Sequence, residues 1–461
     1  MIAKPARALV SLAFLLLAVG CDRRPEGASP APPAAVPPGP PPNVVVVLVD
    51  ALRADRLGAH GYPKPTSPAI DALAAAGVDF RAGFSPATWT KPSIASLFTG
   101  LHPTEHGLMH LGATEPDKVT AEALPRRLPV LAAAFRQGGW ATVGVVNQVH
   151  LQERLGFARG FDDYIWRRGK NAFDLNRLFT DWLAKSDPTR PFFAYVHYLD
   201  AHWPYDERLT DAPADRFGSI EFENRPPRGL KWVAEWAEKT MTPRDLAALS
   251  ARYDHEIAYV DRAIGELLAA LEANGRAENT IVVVTSDHGE GFFEHGMLKH
   301  SYAPYEEVSR VPMIVKLPAR YGVAPGPRTT VASVVDLAPT LLELAGLPPL
   351  EGASGESLWP VIRGAEDPDR AVIVQSEEAW ALRTATEKLI VRPVRIEHYD
   401  LAKDPGEKTN LAANGCDGRC AELREEFRRR RGQLRKPPAG KGETSELTGE
   451  DVEELKALGY L

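Results

Sequence analysis

The sequence predicts an α/β fold: a doubly wound, mostly parallel sheet with a small C-terminal antiparallel α+β subdomain. Two features carry that expectation. Runs such as NVVVVLVD (43–50) and TIVVVTSDHGE (280–290) are apolar without alternation, as strands buried on both faces are. Helix-period stretches fall between successive runs, the order that a parallel sheet with crossover helices requires. A length of 461 residues and a hydrophobic content of 44% allow one large core and exclude a wholly disordered chain. The net charge of −7 supplies no basic field for nucleic acid.

Taken in order, Lys4 and Arg7 precede an apolar run from Ala8 to Val19. The run is too short for a membrane span and suits a secretory signal over 1–21. Its end, AVGC, resembles a bacterial lipobox. That resemblance implies lipidation of Cys21, hence an exported protein anchored in the cell envelope, on a membrane or surface that the sequence does not specify. Residues 22–42 hold nine prolines and read as an extended linker, ~65 Å long at about 3.1 Å per residue. The body opens with the strand at 43–50, and further strands of the same kind are expected at 141–147, 192–202, 280–290 and 311–318. Each turns polar at its carboxyl end, where ligands collect in such sheets. Helices are expected at SPAIDALAAAG (67–77), with Ser67 as N-cap, Pro68 in the first turn and Gly77 as stop, and at 173–184, 243–274 and 333–346. The stretch from His202 to about 242 reads as an insert over the pocket. A catalytic domain thus spans 43–365. In a subdomain over 366–435, residues 371–377, 380–384, 388–391 and 396–401 read as a small antiparallel sheet and Glu422–Arg435 as a helix. Residues 436–461 read as a flexible tail. Cys416 and Cys420, in an exported chain, are free to pair or to remain thiols.

Four chemistry-bearing positions fall at element ends. Asp50 ends the first strand, Asp287 and His288 end another, and Thr90 begins the helical stretch TKPSIASLFTG as its N-cap. His197, Asp200 and His202 follow at the end of HYLDAH. Two carboxylates, an imidazole and a hydroxyl form a donor set for a divalent cation. Such an ion lowers the pKa of a bound hydroxyl and stabilises negative charge on a substrate. Each residue alone has an equally ordinary structural use, as a cap or a turn residue. Together, at strand ends of one sheet, they point to a site.

Over roughly 43–411 the chain resembles the sulfatase family of the alkaline phosphatase superfamily. The stretches VVVVLVDALRADRLGAHGY, TKPSIASLFTGLHPTEHG, HYLDAHWPY, SDHGEGFFEHG, VVDLAPTLLELAG and YDLAKDPGEKTNLA match its motifs in order. The resemblance implies metal ligation by Asp50, Thr90, Asp287 and His288, with Thr90 as nucleophile. It implies substrate contact by His202, and it puts His300, with Lys299 beside it, where the family has a cationic group. His106, Asn147 and Lys91 are further candidates for binding substrate, although for Lys91 a solvent-facing position is the favoured reading.

The departures from the family pattern bear on the chemistry. The family's nucleophile is a cysteine or serine oxidised to formylglycine. Thr90 cannot give that aldehyde, because its β-carbon carries a methyl group. Ile94 stands where the signature has arginine, Ala51 replaces the second aspartate of the opening pair, and His288 replaces an asparagine. A hydroxyl nucleophile with a histidine-containing metal site resembles the phosphoryl-transfer branches of the superfamily instead. Two other readings stand beside it: a sulfuric ester hydrolase using unmodified threonine, and a catalytically silent module that binds anions or glycans. The candidate ions are manganese, zinc, calcium and magnesium; the nitrogen ligand tilts the site from calcium toward manganese or zinc, and a second ion could use Asp200, His202 or His300. The expected substrate is a small-molecule, glycan or lipid ester. Oligomeric state is left open.

Overall fold

The computed structural model describes residues 36–110, 114–115, 118–205, 216–227, 230–436 and 443–458, with Met1 and Tyr460. The signal segment, Cys21 and the linker up to residue 35 lie outside the described residues, as do 206–215 and 228–229 of the expected insert. The body is the unit Val36–Leu461.

Its centre is an eight-stranded sheet. In chain order the strands are β1 (Asn43–Val49), β2 (Val78–Phe80), β3 (Ala141–Val146), β4 (Asp163–Trp166), β5 (Phe192–Tyr198), β6 (Thr280–Thr285), β7 (Met313–Lys316) and β8 (Gly326–Arg328). They lie in the order β8-β2-β7-β6-β1-β5-β3-β4. Every pairing is parallel except those of β7, which runs antiparallel to both β6 and β2. The sequence predicts β7 as one more parallel strand, and the structure corrects this. No crossover helix separates β6 from β7. The chain leaves β6 at its carboxyl end, folds a short hairpin there, and re-enters the sheet from the same end, which only an antiparallel strand can do.

The apolar run of β1 is divided by the period of two. Val44, Val46 and Leu48 enter one core, and Val45, Val47 and Val49 the other. Helices α1 (Pro68–Ala76), α4 (Ala172–Lys185) and α5 (Pro243–Ala273) cover the second core. Helices α2 (Thr90–Thr99), α3 (Leu131–Gln137) and α6 (Leu337–Leu344) cover the first. Helix α1 starts where expected, but Ser67 does not cap it with its side chain. The buried carboxylate of Asp261, on α5, accepts from the backbone N–H groups of Ala69 and Ile70 instead. The last linker residues are docked on the body: the carbonyls of Pro40, Pro41 and Pro42 accept hydrogen bonds from Arg320, Asn279 and Trp140.

Beyond residue 365 an antiparallel meander forms from Val372–Gln375, Trp380–Arg383, Glu387–Val391 and Ile396–Asp400. Helix α7 (Arg419–Gln433) packs on it through Cys420, Leu423 and Phe427. Cys416 and Cys420 are joined in a disulfide. The expected flexible tail is corrected in its described part. Thr444–Glu446 adds a strand to Lys118–Glu122, and helix α8 (Gly449–Leu458) follows. Local and distant contacts order it: the Asp451 carboxylate accepts from the backbone N–H and hydroxyl of Thr448 and from Gln152, Arg154 and Arg168, and Leu455 and Leu458 are buried.

Candidate active site and metal centre

Strands β1 and β6 are parallel neighbours, so their carboxyl ends deliver Asp50 and Asp287 side by side. Helix α2 brings Thr90 to the same point. Trp89, not Thr90, holds the N-cap position, and Thr90 is the first helical residue. Its hydroxyl is therefore not spent on the helix start. Thr90 Oγ1 lies 3.3 Å from His288 Nε2. Asp50, Asp287 and His288 offer ligand atoms within 4.8 Å of one another, and all are fully buried.

The hydrogen bonds around this cluster leave particular atoms bare. His288 Nδ1 donates to the carbonyl of Gly289 at 2.8 Å, which turns Nε2 toward the carboxylates and Thr90. Asp50 Oδ2 accepts from Gln148 Nε2 (2.7 Å) and His197 Nε2 (3.2 Å), while Oδ1 has no hydrogen-bond partner. His197 is itself held by the Tyr195 hydroxyl at 2.7 Å. Asp287 Oδ1 accepts from the N–H groups of Ala51 and His288, while Oδ2 has no hydrogen-bond partner. Two bare carboxylate oxygens and one imidazole nitrogen, each with its other polar atoms anchored, fit a divalent cation. Ala51 takes a left-handed backbone conformation, φ 60°, which costs a residue with a Cβ and aims its N–H at Asp287.

The charges follow from burial and proximity. Burial and then the charge of Asp50 push Asp287 up to about 6. Burial would also raise Asp50, but His202, His197 and His288 outweigh it and hold that carboxyl well below the usual range. Burial opposes a proton on His288, yet Asp287 and Asp50 together hold it above the ordinary histidine value. Below about pH 6 the pair of acids thus carries a proton on Asp287 that a cation would displace.

A second group of residues faces the same space. His202 Nδ1 lies 2.7 Å from the Trp203 carbonyl, which leaves Nε2 as the nitrogen turned toward Thr90 and the Tyr460 hydroxyl. His300 Nδ1 is anchored at 3.0 Å on Glu290, which also accepts from the Tyr205 hydroxyl. The His300 ring lies 4.1 Å from that of His288 and 5.0 Å from that of His202. Lys299 lies over the Trp203 ring at 4.8 Å, and its buried ammonium has no hydrogen-bond partner. Burial lowers it to about 8, against the pull of Glu290. Burial likewise lowers His202, to about 4, against the pull of Asp50.

The remaining sequence-predicted residues fare differently. Lys91 is fully buried rather than solvent-facing, with its ammonium on the His110 carbonyl at 3.1 Å. His106 is not brought to the cluster: Nε2 meets Ser96 Oγ and the Pro92 carbonyl, and Nδ1 accepts from the Leu108 N–H. Asn147 bonds to the Lys170 carbonyl at 2.6 Å, and its neighbour Gln148 is the residue that reaches Asp50. Asp200 accepts from the Ala172 N–H at the start of α4, which removes that oxygen from any second ion site. Sequence reasoning missed Gln148, His150, Glu290 and Tyr460. Tyr460 Oη lies 2.8 Å from Thr90 Oγ1 and 3.1 Å from His202 Nε2, and its ring is edge-on to His150.

Gly289 sets the approach of this cluster to the loop behind it. A Cβ there would sit 2.1 Å from the Glu307 carbonyl oxygen. Gly289→Ala is therefore expected to cost about 1–3 kcal/mol of stability, read as a lowered thermal midpoint, and to shift His288 through its bond to the Gly289 carbonyl.

Comparison with known proteins agrees with this geometry. A family profile described as Sulfatase matches residues 42–347, and one described as N-sulphoglucosamine sulphohydrolase, C-terminal, matches 293–436. The chain is 26% identical over 426 residues to a Delta 4,5-hexuronate-2-O-sulfatase of Bacteroides thetaiotaomicron, covering 82% of this chain and 86% of the relative. It is 25% identical over 451 residues to an arylsulfatase of Clostridium perfringens, covering 80% and 90%. Among solved structures, a phosphonate monoester hydrolase of Agrobacterium radiobacter shares the fold, with a TM-score of 0.68 at 24% identity, covering 85% of this chain and 95% of that one. Together with the buried acid–acid–histidine cluster at the carboxyl ends of β1 and β6, these matches establish that the chain belongs to the sulfatase family, on the alkaline phosphatase-like fold, and is an ester hydrolase.

Proposed function

We propose that the protein is a metal-dependent hydrolase of anionic esters that uses the unmodified hydroxyl of Thr90 as its nucleophile. One observation carries this reading: Thr90 Oγ1 lies 3.3 Å from His288 Nε2, beside the bare oxygens of Asp50 and Asp287. Asp50, Asp287, His288 and Thr90 would hold a divalent cation, which lowers the pKa of a bound hydroxyl and neutralises anionic charge.

The chain's own residues account for the remaining steps. Thr90 Oγ1 gives up its proton to one histidine of the pair His202 and His300, whose Nδ1 atoms are anchored on the Trp203 carbonyl and on Glu290. Oγ1 then bonds to phosphorus or sulfur as the bond to the leaving oxygen breaks. The histidine returns the proton to that oxygen, releasing an alcohol. Water attacks the Thr90 adduct, restores the hydroxyl and releases the inorganic anion. Lys299 faces the anion from above Trp203. Gln148 and His197 orient Asp50, so Gln148→Ala is expected to weaken metal binding by about 10–100-fold, measured by calorimetric titration.

Phosphate esters are the favoured substrates, because threonine cannot supply the aldehyde on which formylglycine chemistry runs. The sulfuric ester reading is favoured instead by the sulfatase names of the relatives. Turnover of an aryl phosphate, an aryl phosphodiester and an aryl sulfate bearing the same phenol separates the two. We expect metal-dependent turnover with the phosphates ahead, whereas no turnover of any of the three would end the proposal. The hexuronate relative makes carbohydrate esters the first natural class to try. An exported, lipid-anchored location rests on the AVGC motif and Cys21. Among the described residues no helix is long and apolar enough to cross a membrane.

A further inference from the structure

The reaction centre is closed to its surroundings. Thr90, Asp50, Asp287 and His288 have no solvent exposure, and His202, Lys299 and His300 are at most 6% exposed. An ester has no route to Thr90 in this arrangement. What fills the space above the nucleophile is Tyr460. Its hydroxyl bridges Thr90 Oγ1 at 2.8 Å and His202 Nε2 at 3.1 Å, and its ring stacks on His202 with the planes 24° apart. The direction of the bridge is set by His202. Its Nδ1–H is committed to the Trp203 carbonyl, so Nε2 accepts from Tyr460, and Tyr460 in turn accepts from Thr90. An attacked phosphorus or sulfur must lie about 3–3.5 Å from the nucleophile, with its oxygens reaching toward the histidines. That group and the Tyr460 hydroxyl cannot occupy the site together.

We propose that helix α8 and Tyr460 act as a built-in competitor of substrate, a plug whose withdrawal opens the pocket. The contacts holding it form a latch apart from the reacting atoms. Asp451 accepts from Gln152 at 2.8 Å and Arg168 at 2.6 Å, and it pairs with Arg154. Glu454 meets Arg168 at 3.4 Å. Gln152, Arg154 and Arg168 lie on the segment that follows Gln148 and His150, so latch and site share one support. A short helix held by ion pairs and two leucines is a unit that can release without unfolding the body. While it is seated, the apparent affinity for any anion is reduced by the fraction of molecules that are open. This inference rests on Thr90 lying at the reaction centre.

The test uses the full-length protein and three variants: Tyr460→Ala, a chain ending at Leu458, and Asp451→Asn, which weakens the latch without touching the pocket. Binding of inorganic vanadate and phosphate is followed by calorimetry, and turnover of the aryl esters is measured beside it. All three variants are expected to bind vanadate about tenfold more tightly or better, with KM lowered to match and kcat changed little. Unchanged vanadate affinity in all three overturns the plug. So does a loss of turnover on the order of 100-fold in Tyr460→Ala with native circular dichroism, because the hydroxyl then serves the reaction. If vanadate affinity rises while no protein turns over any ester, the plug stands and the reading of Thr90 as nucleophile fails. If Thr90-dependent turnover is present and vanadate affinity does not respond, only the plug fails.

Discussion

Thr90→Ala is expected to abolish ester turnover, by on the order of 1,000-fold or more in kcat, with the fold intact. The substitution removes the hydroxyl and the γ-methyl from the first turn of α2 and keeps the Cβ that packs there. The Trp89 N-cap position does not depend on it. Tyr460 loses one partner but retains His202, so the lost hydrogen bond and the lost buried methyl together cost about 2 kcal/mol. A nucleophile is different from a ligand in this respect. If Thr90 only helped to hold a cation, alanine would weaken metal binding and saturating metal would restore the rate. As a nucleophile it cannot be rescued that way. Thr90→Ser keeps the hydroxyl and is expected to retain turnover within about tenfold. A low-pH quench of the wild-type enzyme should leave a phosphoryl or sulfuryl group on the Thr90 peptide, and none on the alanine variant. Turnover that survives in Thr90→Ala would remove the residue from the reaction. Ile94, where the family signature has arginine, is fully buried in the core, so this helix carries an apolar contact in place of a cation near the nucleophile.

The convergence of Asp50, Thr90, Asp287 and His288 was legible because strand ends are legible. An apolar run that turns polar announces both a buried strand and the residue at its mouth, and neighbouring parallel strands bring such residues together. What was not legible has a geometric cause in each case. Just past the end of β3, Gln148 reaches Asp50, whereas Asn147, the candidate for binding substrate, bonds to the Lys170 carbonyl, and the sequence does not tell which of two adjacent amides turns toward the site. His106 looks the same in sequence whether it faces a substrate or a helix carbonyl, and here three neighbours of the α2 end consume it. The antiparallel sense of β7 depends on where the chain re-enters the sheet, which its own composition does not encode. Tyr460 is separated from Thr90 by 370 positions, and no periodicity links residues across such a distance. The expected flexible tail failed for a similar reason: part of its order comes from Gln152, Arg154 and Arg168, far away in sequence.

Asp287→Asn is expected to lower divalent-metal affinity at least about 100-fold at neutral pH, and the wild-type protein should show why through its pH dependence. A carboxyl must be ionised and an imidazole neutral to ligate, so protons and metal compete for the same atoms. Asp287 titrates near 6 and His288 above its ordinary value. Metal affinity should therefore fall by about one decade per pH unit as pH drops below the raised His288 value, and by up to two below about 6, where Asp287 is protonated as well. It should level off at higher pH. Stability of the metal-free protein moves the other way for these two groups. The folded Asp287 value lies above its ordinary 3.8, so its contribution is complete below 3.8 and is lost as pH rises through about 6. His288 follows the same sign: its contribution is complete below 6.5 and lost above the raised folded value. A bound cation replaces that proton and cancels the loss. The thermal shift produced by saturating manganese or zinc should accordingly be larger at pH 7.5 than at pH 5.5, and in Asp287→Asn it should be small at both. A thermal shift of equal size at both pH values would place the ion on other residues.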